Sequence, residues 1–552
     1  TAVRLIERHG MDMLMQWHVK TVEGWMRAIP THWCEESPQA NLAFAWLHIL
    51  RGNPTGAFPY LGRLQGLFSD LQAGDRDDDA LQAKWLALQS MLLNAQGKPD
   101  ESVALGRQAL EIAPKDDLHV LSLIYLGLAG AYQQLDDYDQ AVEACQYLIQ
   151  HGRAADNSVS ELLGISSLGL LALVHGQYHL AFEIVSPGLE RVERSGSLPP
   201  ICSSMYGELG VIYYQWHQLE LAHKSFRRAI QISTLSGYSD AELYYAVILS
   251  RLFQIQGDVD AAAAEIQKAV DLMQVEAPAA VREEVISQHV RVLLAQGHLA
   301  RAEAALKPYG FTFQEQFSYP GLKPDQPLTG TSRENTTRPV GVLYLSALRI
   351  LLYCARDRGE LGNLQPGIEL AGDLITEALQ RQYVPLALEA LLLRAQMQGV
   401  LGNNPAGLAD VARAVELAEP GGLVSIFVEE GPFIAGALEG LLESGGLGGV
   451  QPEYVRSILA AFSKEPSTKT AAGEQPGSDQ KAGEPAKLIE PLTGRELDVL
   501  RLVAMGLTYN EIANQLYISV NTVRSHVKAL YGKLGADNRT RAIEIARQLQ
   551  LL

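Results

Sequence analysis

Four cysteines are few for a chain of 552 residues, and Cys34, Cys145, Cys202 and Cys354 form no C-x-x-C pair and have no histidine at metal-ligand spacing. A disulfide framework and a thiolate metal site are thereby excluded, and the four are expected as small core residues in a reducing compartment. No apolar run reaches the roughly 18 residues of a membrane-crossing helix, and no signal-like segment opens the chain. A cytoplasmic protein with no membrane partner is expected. The first residue is Thr1 and not Met, as in a processed chain, an excised domain or the tail of something longer.

Catalytic and cofactor signatures are also missing. There is no H-E-x-x-H, no G-x-S-x-G and no phosphate-binding G-x-x-x-x-G-K-[ST]. Gly97-Lys98 and Gly532-Lys533 both lack the upstream Gly and the following hydroxyl residue. The i, i+4 pair His175/His179 suits a metal, but beside a helix turn a solvated or capping role is favoured. No catalytic residue, metal or cofactor is therefore assigned, and the chain is read as a non-enzyme. Strand and hairpin signals are scarce while Leu, Ala, Gln and Glu dominate, so the fold class expected is all-α.

What is present begins with charge. The net charge is −18, which argues against a protein that coats nucleic acid generally. Residues 488–552 carry eight Lys/Arg against six Asp/Glu, a local +2 that leaves −18 − 2 = −20 on the rest. From Arg524 onward the balance is six against two. The basic surface is confined to one end, as in a DNA-binding module attached to an acidic body.

That end has its own architecture. Thr493 and Glu496 form a capping box opening a first helix, with Leu497, Leu500 and Val503 inward and Gly506 at its stop. A second short helix from about Asn510 buries Ile512, Ala513 and Leu516; Tyr517 and Ile518 turn, and Ser519 caps a third. Val523, Val527, Leu530 and Leu534 make one apolar stripe on that third helix. At about 100° per residue, Asn521, Arg524, Ser525 and Lys528 fall on the opposite face. Such a helix suits the major groove, Arg and Lys reaching guanine and Asn reaching adenine or phosphate. Lys533, Arg539 and Arg541 follow at a place suited to phosphates. The competing reading is a solvated charged face, which two capped helices around a short turn disfavour. His526 lies at the stripe's edge and is read as packed or phosphate-bonded, not as a base reader.

Residues 80–310 repeat. The segments Gln96-Gly97-Lys98, Leu135-Asp136-Asp137, His175-Gly176-Gln177, Trp216-His217-Gln218, Gln256-Gly257-Asp258 and Gln296-Gly297-His298 have centres spaced 39, 40, 41, 40 and 40 apart. Five residues after each centre stands Ser102, Ala141, Ala181, Ala222, Ala262 or Ala302. Each unit reads as helix, tight turn, helix, the small residue letting the helices approach: a tetratricopeptide-like solenoid. Similar pairs are expected around Trp46–Gly52 and Gly402–Val415. Such arrays present a concave surface suited to a ligand or partner. Tyr206, Tyr213, Tyr214, Trp216, Tyr244 and Tyr245 crowd two repeats; they suit stacking on a sugar or peptide, and interhelix packing is the favoured reading.

LTGRELDVL, GLTYNEIANQLYIS, NTVRSHVKALYGKLG and NRTRAIEIA together resemble the LuxR-type helix-turn-helix family over about 60 residues. The resemblance implies base-facing positions for Arg524, Ser525 and Lys528, and phosphate-side positions for Asn521, Thr522 and Lys533. Gly494 stands where the family commonly has Pro, which loosens a helix start without touching the DNA face. The stretch LADVARAVELAEPGGLVSIFVEEGPFIAGALEGLL after Gly407 and the opening AVRLIERHG resemble the MalT-like group of large regulators, in which a repeat sensor precedes a LuxR-type domain. Ser425 stands where that group usually has Arg. That group also carries an N-terminal nucleotide-binding module, and with no phosphate-binding loop in this sequence the resemblance implies either the sensor and effector portion of a larger protein or a natural variant without that module.

The domain reading is residues 1–79 as N-terminal helical pairs, 80–310 as repeats, 311–339 as an irregular loop, 340–463 as further helical repeats and a cap, 464–487 as a flexible linker and 488–552 as the LuxR-type domain. The linker's 24 residues, rich in Pro, Gly, Ser, Glu and Lys, would reach about 25–30 Å. The function expected is a transcriptional regulator whose sensor takes a small-molecule or protein inducer and whose last domain binds double-stranded promoter DNA. Homo-oligomerisation on DNA, Arg539–Gln548 being a candidate dimer helix or plain core, and RNA polymerase contact accompany that expectation. The alternative is a protein-interaction scaffold with a docking domain at its end.

Overall fold

The computed structural model describes residues 2–30, 32, 35–51, 54–68, 76–195, 198–236, 239–273, 279–313, 316–322 and 341–463, and, further on, Val499, Leu500, Leu502, Val503, Ile512, Val523 and Val527. The chain divides into two compact units, Thr1–Thr468 and Lys469–Leu552.

The first unit opens with α1 (Ala2–Met15), α2 (Val19–Ala28), α3 (Pro38–Leu50) and α4 (Phe58–Phe68). Helix pairs follow: α5 (Arg76–Ala95) with α6 (Pro99–Ile112), α7 (Leu118–Gln134) with α8 (Tyr138–Ala154), and α9 (Ser158–Val174) with α10 (Tyr178–Ser195). Next come α11 (Cys202–Gln215) with α12 (Leu219–Ser236), α13 (Ser239–Ile255) with α14 (Val259–Leu272), and α15 (Ala279–Ala295) with α16 (Leu299–Leu306). The last pairs are α17 (Gly341–Arg358) with α18 (Leu364–Gln380) and α19 (Val384–Val400) with α20 (Asn404–Ala418). A cap of α21 (Ser425–Val428), α22 (Pro432–Ser444) and α23 (Pro452–Phe462) closes the unit. Within a pair the helices are in extensive contact, and each packs on the next pair, as an all-α solenoid requires.

The repeat turns fall where the 40-residue register places them. Gly97, Asp136, Gly176, His217, Gly257 and Gly297 all have left-handed backbone, with φ between 55° and 79°. Each closes the preceding helix with paired bonds: Gly97 N to Asn94 O at 3.1 Å and Lys98 N to Leu93 O at 3.0 Å, for example. Asp136 and His217 adopt this conformation without being glycine, and both make side-chain contacts described below. Asp137 and Asp258 then cap the following helix through Gln140 N and Ala261 N. The small residues at the fifth position, Ser102, Ala141, Ala181, Ala222, Ala262 and Ala302, are all fully buried. The pairs anticipated near Trp46 and Gly402 are α3 with α4 and α19 with α20; Gly402 repeats the turn at φ 77°.

The stretch expected to be irregular is described as far as residue 322, and it is more ordered than its composition suggests. Thr312 and Ser318 pair as an antiparallel bridge, and Phe311 and Phe317 are buried. Tyr344 donates to the carbonyl of Pro320 at 2.9 Å, tying this excursion to α17. Two phenylalanines seven residues or fewer apart supply the apolar surface that pins it down. The linker assigned to 464–487 lies outside the described residues.

Cys145, Cys202 and Cys354 are buried free thiols, each pushed up by burial. Cys34 lies outside the described residues. Among the described residues no helix is long and apolar enough to cross a membrane.

Candidate functional site

The array curves until distant repeats meet. Asp136, at the α7–α8 turn, takes Arg381 at 3.0 Å and the hydroxyl of Tyr383. Gly176 lies against Val384, so close that a Cβ there would meet it at 2.8 Å. The α11–α12 turn is bound by the segment that leads into the cap. Trp216 Nε1 donates to Gly421 O at 2.9 Å, Val424 N to Gln215 O at 2.7 Å, and Ser425 Oγ to Tyr214 O. His217 Nδ1 lies 2.9 Å from Ser425 Oγ. Ser425 thus has a defined place: it is fully buried, and its short hydroxyl reaches the backbone of α11.

This closing segment carries Glu429 and Glu430 onto the first helices of successive pairs, where three arginines meet them. Arg251 on α13 reaches Glu429 at 2.8 Å and Glu389 at 3.1 Å. Arg291 on α15 reaches Glu429 at 2.6 Å and Glu389 at 2.7 Å. Arg349 on α17 holds Glu430 through two nitrogens, at 2.6 and 3.1 Å, and Glu389 at 3.0 Å. Gln396 donates to Glu430 at 2.8 Å and Tyr214 donates to Glu429. Arg291 is 9% exposed and Glu430 7%. Burial by itself would raise the carboxyls of Glu389 and Glu429, but the surrounding guanidiniums outweigh it and hold both well below the ordinary range. Beside the cluster opens a cavity of about 130 Å³ lined by Arg251, Gln254, Ile255, Arg291, Val428 and Glu429.

None of these six charged residues was singled out in the sequence, although a signal exists. The position six before each turn residue reads Met91, Gly130, Leu170 and Val211, then Arg251 and Arg291, and Gln396 before Gly402. The same helix face changes from apolar to cationic partway along the array. Arg349 escapes that register because its repeat is differently built.

A second, smaller cavity of about 50 Å³ sits at the meeting of distant repeats, lined by Tyr132, Gln133, Asp136, Tyr138, His175, Arg381 and Tyr383 among others. His175 is the C-cap residue of α9 and is buried, not solvated, its ring 3.8 Å from that of Tyr138. Burial lowers its pKa, with Asp136 and Gln382 opposing. His179 is exposed and packs on Trp216. Among the described residues no cluster of His, Cys, Asp and Glu is arranged for a metal. Of the six clustered aromatics, Tyr214 and Tyr245 are buried as packing requires, Tyr206, Tyr213 and Trp216 are half-buried and Tyr244 is exposed.

In the second unit the described residues are all helical and buried: Val499, Leu500, Leu502, Val503, Ile512, Val523 and Val527. Leu500, Val503, Ile512, Val523 and Val527 are inward positions expected from periodicity. Asn521, Thr522, Arg524, Ser525, Lys528, Lys533 and Arg539 lie outside the described residues.

Comparison with known proteins places residues 83–444 in a family model described as "MalT-like TPR region" and residues 490–546 in one described as "Bacterial regulatory proteins, luxR family". "HTH-type transcriptional regulator MalT" of Serratia proteamaculans (strain 568) is 22% identical over 555 residues, covering 99% of this chain and 58% of its own length. The chain therefore spans a little more than half of that curated relative. Among solved structures, the apo form of the quorum sensor NprR from B. thuringiensis superposes at TM-score 0.41 and 12% identity over 75% of this chain and 98% of that one. Aspartyl phosphate phosphatase F from Bacillus subtilis does so at 0.38 and 15% over 52% and 73%.

Proposed function

The chain belongs to the MalT-like helical-repeat family, and from that premise we propose that it is a DNA-binding transcriptional regulator whose solenoid senses a small molecule or a protein. The observation that carries the reading is the luxR-family match at residues 490–546, joined to a MalT-like repeat region. Support comes from the second unit: Val523 and Val527, four residues apart and both buried, mark an inward stripe on one helix. By helical spacing Arg524, Ser525 and Lys528 fall off that stripe, where base contact is proposed. Asn521, Thr522, Lys533 and Arg539 are proposed for the phosphates. No catalytic role is assigned. Cytoplasmic location, self-association on repeated half-sites and contact with RNA polymerase complete the proposal. Where an inducer binds is read from the concave face, and the curated relative's name supports the regulator class alone.

Selection of genomic DNA fragments on the purified chain tests this. Wild type is expected to enrich a small set of promoter fragments, and Arg524→Ala/Lys528→Ala to lose them. Equal enrichment by both proteins would overturn the assignment of these residues. No enrichment by wild type would favour the scaffold reading, in which the last domain docks to protein.

A further inference from the structure

We propose that Arg251, Arg291 and Arg349 form a receptor for a small molecule bearing two oxyanionic groups, carboxylate or phosphate, and that Glu429 and Glu430 occupy this receptor when no ligand is present. The inference rests on the reading of the solenoid as the sensor and names the chemistry it senses.

Three observations converge. Arg251 and Arg291 replace apolar residues at one register position of the array, so the cations are concentrated on consecutive first helices, α13, α15 and α17. Guanidiniums suit carboxylate and phosphate because their planar fork gives two parallel bonds, as Arg349 gives Glu430. Second, two of the three paired carboxylates, Glu429 and Glu430, directly follow the four-residue helix α21. They lie between Gly422 at φ 66°, packed against His179 and Trp216, and Gly431 at φ 81°, where a side chain would meet nothing, so the connection is free at its far end. Movement of that connection would leave three guanidiniums facing Glu389, with Glu284 nearby, its carboxyl raised by burial and by Glu389 against the pull of Arg251 and Arg291. Third, the cavity of about 130 Å³ beside Arg251, Arg291 and Glu429 exceeds what one water needs. It offers space into which an oxyanion can enter before the glutamates leave.

A ligand with two oxyanions therefore competes with the two adjacent glutamates, and binding releases the closing segment from the α11–α12 turn. Trp216 reports that release, since its indole N–H bonds Gly421 O at 2.9 Å.

The test measures binding of citrate and of pyrophosphate to the full chain by calorimetry without DNA, with glucose as the neutral control. Glu429→Gln/Glu430→Gln is expected to bind one probe at least tenfold more tightly than wild type, and added Arg349→Gln to abolish the gain. Preference for citrate identifies a carboxylate ligand, and preference for pyrophosphate a phosphate one. Failure of a folded Glu429→Gln/Glu430→Gln chain to bind either probe, or binding indifferent to Arg349→Gln, overturns the proposal and leaves the cluster as a brace. If the double variant does not fold, wild type decides: a probe-dependent change in tryptophan emission, absent in Trp216→Phe, supports the proposal, and its absence overturns it. Because no DNA is present, failure here is distinct from failure of the fragment selection.

Discussion

Glu208 on α11 sits in the packing against α9 with one bond, from the hydroxyl of Ser166, while its Oε2 has no partner. Burial pushes its carboxyl from 4.5 up to about 8, the Ser166 bond opposing. Below about pH 4.5 folded and unfolded chains both hold this proton, and the group contributes nothing to the pH dependence. Between about 4.5 and 8 the unfolded chain has released it and the native chain has not, so stability falls as pH rises. The loss is at most about 1.4 kcal/mol per pH unit. Glu208→Gln keeps the shape and removes the titration. Its thermal unfolding midpoint is expected to vary less than wild type's from about pH 5 to 8 and to equal or exceed it at pH 8. Parallel curves would exclude Glu208 from the native pH response. Glu283, also raised to about 8 by burial and Glu284, with Arg282 opposing, adds in the same direction, so the variant flattens the curve only in part. Neither carboxylate was legible in the sequence, because a glutamate on a helix looks alike whether its face meets water or the next repeat.

The helix pair is the element that recurs, and its tolerance is set at the fifth position after each turn. Ala262 is fully buried between α13 and α14, and its carbonyl takes the hydroxyl of Ser250 at 2.8 Å. Ala262→Leu has no room without parting the helices and is expected to cost about 1–3 kcal/mol in urea denaturation. A change at exposed Gln267 on the same helix is expected within about 0.5 kcal/mol of wild type. If the two substitutions cost the same, the small residue is not what sets the approach of the pair. This element was legible because its requirements are local: a left-handed turn residue and a short side chain must stand a fixed distance apart. The excursion holding Phe311 and Phe317 was not, since Pro, Gly and Thr around it signal a loop and the core that receives it comes from α17.

At the scale of the whole molecule, charge separates the acidic solenoid from the basic final domain. On the proposed function, Lys533→Ala should weaken binding to all DNA sequences alike and reduce the slope of log affinity against log salt by about 1. Arg524→Ala should cost about 1–3 kcal/mol mainly at one base position. Titrations of a selected fragment and a scrambled one across salt concentrations distinguish the two, and equal effects of both variants on both fragments would contradict the division into phosphate and base contacts.

The all-α class, the six repeat turns, the small residues behind them and the inward stripe of the last domain were determined by the sequence alone. Each depends on residues within about one helix pair of each other, so periodicity reports it directly. Only the tertiary structure decided that Asp136 meets Arg381, that Ser425 binds the α11–α12 turn, and that Glu429 and Glu430 enter a nest of three arginines. A repeat period sets how each pair stacks on its neighbour, while small rotations accumulated over many pairs decide which distant turns meet.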